Sequence, residues 1–144
     1  MFGQIITAGA TVLCLAGSLC AETIDVKMLN KGEAGSMVFE PAFIKAMPGD
    51  TINFISTDKG HNAETIKGMI PDGAEKFKSK LGKDFAITLD VEGIYGIKCT
   101  PHYALGMVAL IQVGTAGNLD DALKVKQKGK AKKRFPGLFE QVQE

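Results

Sequence analysis

Tryptophan is absent from this chain, histidine occurs twice and cysteine three times in 144 residues. Residues 1–21 carry no charged side chain at all. There is no internal repeat, no phosphate-binding loop and no dinucleotide fingerprint, which removes the common nucleotide-binding classes. Two of the cysteines, Cys14 and Cys20, lie in the uncharged leader, so a domain that starts after it keeps only Cys99. One thiol cannot make an internal disulfide, and a fold stapled by disulfides is excluded. The formal net charge is +1, from 17 basic and 16 acidic residues, so bulk charge points to neither nucleic acid nor membrane as a partner.

The leader reads as a secretory signal peptide over residues 1–21, leaving residues 22–144 as one domain. Its apolar stretch, Ile5 to Leu19, is short, is interrupted by small residues and gives way at once to Glu22. That is too little for a membrane span. Two features depart from the usual pattern: no Lys or Arg precedes the stretch, and Leu19 is bulky for its place before the cleavage point. An uncleaved anchor and a lipid-modified Cys20 are the rival readings. In an exported domain a single unpaired cysteine is a liability unless something occupies it, and a metal ion does so.

Short alternating segments follow. Ile24–Met28, Met37–Phe39, Ala42–Ile44, Thr51–Ile55, Phe85–Leu89 and Ile94–Lys98 read as strands, with turns at Pro48-Gly49-Asp50 and Glu92-Gly93. Ala63–Ile66 reads as extended, and Gly73–Lys78 as a brief helical turn. Val108–Val113 is nearly all apolar, which marks a central strand. This pattern implies a mainly β fold, a sandwich or barrel reaching to about residue 116. Beyond it a helical appendage is expected over about residues 118–144. Asn118 is placed to cap a helix over Leu119–Gln127. A second helical segment over Lys130–Glu144 carries Phe135, Leu138, Phe139 and Val142 on one face, with Pro136 expected to kink or delay it.

The chemistry sits in four side chains. Cys99 ends a strand, His102 follows across the Thr100-Pro101 turn, and Met107 opens the next strand. His61 comes from a distant turn after Thr51–Ile55. Taken singly, each has an ordinary reading: His61 as a turn residue, Met107 as core, Cys99 as a small buried hydrophobe. Together they include both histidines of the chain and its one cysteine beyond the leader. Two imidazoles, a thiolate and a thioether suit an ion cycling between Cu(I) and Cu(II). Zinc is the next reading, although methionine is not among its usual ligands. A Cys99–His102 nucleophile pair is the third, with no orienting group or oxyanion loop evident. Asn62, beside His61, is placed to tie the two loops together and to bring a backbone N–H to the Cys99 sulfur, and Pro101 stiffens the turn before His102.

At these residues the chain resembles the pseudoazurins, bacterial type 1 blue copper proteins of the cupredoxin family. The resemblance rests on Lys98-Cys99-Thr100-Pro101-His102-Tyr103 followed by Gly106-Met107-Val108, and on Gly60-His61-Asn62-Ala63-Glu64-Thr65 running on to Pro71. It covers nearly all of the chain after the leader, including the two C-terminal helical segments. It implies a cupredoxin-like Greek-key β-sandwich of about eight strands in two sheets, with two C-terminal helices. It implies one copper ion per chain, ligated by His61 Nδ1, Cys99 Sγ, His102 Nδ1 and Met107 Sδ. The implied role is a periplasmic one-electron carrier, not an enzyme, acting as a monomer. A copper or haem nitrite reductase would be its acceptor and a c-type cytochrome its donor, in transient complexes. The alternative is a periplasmic copper transport or storage protein. Ala104 and Leu105 depart from the family's common Gly and Met before the axial ligand.

The resemblance also implies how partners dock. The outer edge of His102 would be the electron's exit, within an apolar rim of Met37, Pro41, Pro101, Ala104 and Leu105. Met37 would pack beside His102. Lys31, Lys59, Lys67, Lys76, Lys78, Lys80 and Lys98 would form a basic ring steering an acidic partner. The second basic run, Lys124 to Arg134, is read as helix solvation, because export separates the chain from nucleic acid.

Overall fold

A computed structural model of the protein describes residues 20–144. Most of the proposed signal peptide, with Cys14, lies outside the described residues. Eight strands form: β1 (Thr23–Gly32), β2 (Gly35–Glu40), β3 (Phe43–Ala46), β4 (Asp50–Ile55), β5 (Glu64–Thr65), β6 (Phe85–Leu89), β7 (Gly93–Lys98) and β8 (Val108–Val113). Two helices follow, α1 (Leu119–Lys124) and α2 (Ala131–Phe139). The strands make two four-stranded sheets, ordered β2-β1-β4-β6 and β3-β8-β7-β5. β1 runs parallel to β4, and β3 parallel to β8; the other neighbours are antiparallel.

The alternation seen in the sequence becomes the inner layer. Val26, Met28, Ile52 and Phe54 from the first sheet meet Tyr95, Ile97, Ala109, Ile111 and Val113 from the second in one buried cluster. The unbroken apolar text of β8 has a specific cause. Its other face, with Val108 and Leu110, is covered by Ala122, Ala131, Phe135 and Leu138 of the helices in a second cluster. A strand buried on both faces has no polar side to show. Burying Phe135, whose exposure is 1%, contributes about 2–3 kcal/mol to holding the helices down.

Several elements differ from expectation. β1 runs to Gly32, well past Met28, because the β1–β2 hairpin continues its pairing through Lys31↔Ser36 and Gly32↔Gly35. Of Ala63–Ile66 only Glu64 and Thr65 are strand. Gly73–Lys78 is not helical: Phe77 exchanges hydrogen bonds with Thr65, and Lys78 bridges Glu64, so the segment lies alongside β5. The first helix stops at Lys124 because Val125 is extended (ψ 121°). Asn118 makes no side-chain cap; its amide instead accepts from Ile94 N–H at 2.6 Å and donates to Ile94 O at 2.9 Å, joining α1 to β7. α2 runs through Pro136 and ends at Phe139. There the Gln141 and Val142 N–H groups tighten onto Leu138 and Phe139 carbonyls, and buried Gln112 captures the backbone of Gln143.

Candidate metal centre

The two sheets deliver their ligands from different sides. His61 follows β4 by one loop. Cys99 continues β7, Met107 precedes β8, and His102 sits on the turn between them. The Cys99 N–H donates to Met107 O at 3.0 Å, and both Met107 N–H and Leu105 N–H donate to His102 O, so the loop is a tight, self-bonded turn. His61 Nδ1 lies 3.1 Å from His102 Nδ1. Cys99 Sγ lies 3.8 Å from the first and 3.5 Å from the second. One ligand atom from each of the three residues falls within 4.8 Å of the others. Met107 is fully buried beside them in sequence and faces Cys99 across the end of the β7–β8 ladder.

With both Nδ1 atoms unprotonated and the sulfur ionised, the three atoms would face one another as lone pairs, and a single cation among them satisfies all three. The tautomer fits that purpose. His61 Nε2 is 2.7 Å from Asn30 Oδ1, so Nε2 carries the proton and Nδ1 is left with a free lone pair. Asn30 is itself held, its backbone N–H donating to Asp58 Oδ2 at 2.7 Å. Asn30 was not singled out in the sequence. It lies in the part of β1 beyond the recognised alternation, and nothing near it in the chain marks it.

The Asn62 side chain bridges the two loops. Its Oδ1 accepts from Thr100 N–H at 2.7 Å and its Nδ2 donates to Thr100 Oγ1 at 2.8 Å and to Ser79 O at 3.2 Å. Thr100 passes its own hydroxyl proton toward Glu64 Oε2 at 2.6 Å. Burial pushes the Cys99 thiol above its ordinary 9.0, while the backbone N–H groups of Asn62 and His102 pull the other way by favouring the thiolate. Burial pulls His61 below 6.5, His102 beside it adds to that, and Asp58 opposes. The lowered His61 pKa favours the neutral, metal-ready imidazole, whereas the raised Cys99 pKa favours the thiol, so a metal is needed to hold the thiolate at neutral pH.

The residues expected around His102 differ in their exposure. His102 is half-buried, and Pro101, Ala104 and Leu105 expose themselves around it, Leu105 by 45%. Pro41 is exposed after a cis peptide bond, and Met37 is partly buried against the inner core. Lys67, Lys76, Lys78 and Lys98 line one groove of about 750 Å³, and Lys78 and Lys80 a second with Asn62, Thr100 and Pro101. Lys31 and Lys59 are exposed but line neither groove. Lys98 differs from the rest: it sits 3.9 Å from Glu64 Oε2 and 5.3 Å from the centre of the Tyr103 ring.

The basic run at the C-terminus needs a correction. Arg134, the sole arginine of the chain, is not a solvated surface charge. Its Nη1 donates to Met37 O at 2.6 Å and Gly106 O at 2.7 Å, and its Nη2 to Ser36 O at 2.7 Å. The available signal was its singularity: among lysines stands one arginine, whose rigid planar fork of five donors can span separated carbonyls in a way a compact three-donor ammonium does not match.

Comparison with known proteins agrees with this geometry. The family of copper binding proteins of the plastocyanin/azurin type matches residues 26–114. A pseudoazurin of Paracoccus pantotrophus is 51% identical, the match covering 96% of this chain and 97% of that one. A putative pseudoazurin of Rhizobium leguminosarum bv. viciae is 49% identical over 98% and 93%. The crystal structure of pseudoazurin from Methylobacterium extorquens AM1 superposes with a TM-score of 0.82 at 51% identity, covering 84% of this chain and 99% of that one. With a soft N₂S donor set closed over by buried Cys99 and Met107, the group that fits is one copper ion, and the chain belongs to the plastocyanin/azurin family of copper-binding proteins, among its pseudoazurins.

Proposed function

We propose that this protein is a mobile one-electron carrier of the periplasm, not an enzyme. It would take its electron from a c-type cytochrome and deliver it to a nitrite reductase of the copper or haem type. The observation that carries the reading is the approach of His61 Nδ1, His102 Nδ1 and Cys99 Sγ to within 3.1–3.8 Å of one another, with the thiol buried and His102 only half-buried. When bound, copper supplies reversible one-electron redox chemistry. His61, Cys99, His102 and Met107 would hold it, with Asn30 fixing the His61 tautomer and Asn62 fixing the Cys99 turn.

Residues around the ligands bear on speed. Ligands preset by Asn30, Asn62 and the self-bonded loop have little to rearrange when the ion changes charge. The half-exposed His102 ring, rimmed by Pro101, Ala104 and Leu105, offers a short path to a partner pressed against it. Lys78 and Lys80 share a groove with Pro101 of that rim, Lys67 and Lys76 line the groove next along through Lys78, and together they would attract an acidic patch, raising the encounter rate without tightening the complex. No helix among the described residues is long and apolar enough to cross a membrane. The preset site weighs against copper storage or delivery, which needs ready release.

The deciding experiment is a visible spectrum of the copper-loaded protein with a potentiometric titration. Thiolate-to-copper absorption at about 600 nm and a reversible one-electron wave are expected. A colourless protein with readily exchanged Cu(I) would favour transport or storage. Stopped-flow mixing of the reduced protein with nitrite reductase then tests the partner, with rates falling as salt rises.

A further inference from the structure

The loop that presents His102 and Met107 is backed by the C-terminal segment at four places. The Tyr103 hydroxyl donates to Gln127 Oε1. Lys130 N–H donates to Ala104 O at 2.9 Å. Gly129 approaches so closely that a Cβ there would lie 2.3 Å from Ala104 O. Arg134 Nη1 donates to Gly106 O, and a Cβ on Gly106 would meet the Arg134 side chain at 3.0 Å.

Arg134 also reaches the opposite wall. The same Nη1 that holds Gly106 O holds Met37 O, and Nη2 holds Ser36 O. Met37 has φ +53° and Gly106 φ +90°, and from this left-handed backbone both carbonyls accept from the same Nη1. Met37 is the only non-glycine among the described residues with positive φ, a conformation that costs about 1 kcal/mol or more and persists only when its surroundings hold it. Gly106 is the residue immediately before Met107. Fixing its carbonyl fixes the peptide plane from which Met107 starts.

We propose that Arg134 is a positioning residue for the copper centre: by clamping the Gly106 carbonyl to β2 it sets where the loop delivers Met107, and so tunes the reduction potential. The proposal rests on the copper-carrier reading above and on Met107 as one of the residues that would hold copper, a weak ligand of the kind that tunes the potential of such sites. The C-terminal helices are then part of the metal centre's wall, and not an appendage to the sandwich.

The test compares wild type with R134K and R134M, copper-loaded for potential and visible spectrum, metal-free for melting temperature. Lysine keeps the charge but cannot serve three carbonyls as a planar fork does. The expected result is a shifted potential and an altered ratio of the visible bands in both variants. In the metal-free variants the Met107 amide, which donates to His102 O, should exchange several-fold faster. A lowered melting temperature with the wild-type potential and spectrum would overturn the proposal, leaving Arg134 as a structural tie. Should R134M not fold, R134K and the wild type decide. Because arginine occurs once, its Nη protons are read without ambiguity by NMR. Separate, slowly exchanging signals coupled to the Met37 and Gly106 carbonyls support the clamp, and one averaged signal overturns it. Absence of the thiolate band in wild type would sink the carrier reading and this one with it. Wild-type colour with unmoved variants sinks this one alone.

Discussion

Asn62 and Thr100 hold each other reciprocally across 38 residues of chain, amide to backbone at 2.7 Å and amide to hydroxyl at 2.8 Å. This pair joins the loop carrying His61 to the turn carrying Cys99 and His102 without help from any metal. It explains how a site with ligands from both sheets can be shaped before the ion arrives.

Replacing Asn62 by Ala should therefore weaken the metal-free fold. The buried amide would leave Thr100 N–H and Ser79 O without their partner, a loss of about 2–3 kcal/mol. Urea denaturation of the metal-free protein measures it. A loss under 0.5 kcal/mol, roughly the effect of an ordinary surface change, would show that the pair is not a structural tie.

Asn30→Ala should behave in the opposite manner. Asn30 is exposed, so the fold should hardly notice. Copper affinity should fall by about ten- to a hundredfold, because His61 would lose the acceptor that fixes its tautomer. Competition against a chelator of known affinity gives the number, and an unchanged affinity would remove Asn30 from the site.

The thiol offers a pH test in the metal-free state. With Cys14→Ser and Cys20→Ser, Cys99 is the single thiol. Burial raises its pKa above 9.0, so the reactive thiolate is scarce at neutral pH and grows as pH rises past that value. Alkylation by iodoacetamide should be slow at pH 7, accelerate above pH 9 and stop when copper is bound. Fast alkylation at pH 7 would mean the thiol is open or activated, as a nucleophilic enzyme requires.

Asp50 should govern part of the acid response. The N–H groups of Glu22 and Met47 hold its buried carboxylate below the ordinary 3.8. A carboxylate depressed on folding adds stability that is full above its unfolded pKa and is lost as pH falls through the folded one. Thermal melts below about pH 4 should fall less steeply in Asp50→Asn than in wild type. Parallel acid limbs would assign the loss to other carboxylates.

The sequence showed the sandwich because its inner faces alternate: Ile52 and Phe54 in β4, Tyr95 and Ile97 in β7. It showed His61, Cys99 and His102 because those residue types are scarce here. What it hid was determined by long-range contact. Asn118 looks like a helix cap in one dimension, but in the fold its amide is taken by Ile94, 24 residues earlier. Arg134 looks like one more surface cation until Met37 and Gly106 turn their carbonyls toward it. Gly73–Lys78 has helical composition, yet Thr65 offers it a strand to lie against.

The ends of the two sheets bear on how such a molecule keeps to itself. In the second sheet the outer strands are β3, of four residues, and β5, of two, and β5 is already covered by the segment carrying Phe77 and Lys78. On β3, Lys45 folds its ammonium back onto Gly114 O. A neighbouring copy searching for an open row of backbone donors and acceptors finds little to extend on that side. Such a surface favours brief collisions through side chains over stacking into aggregates, which suits a courier that must leave every partner it meets.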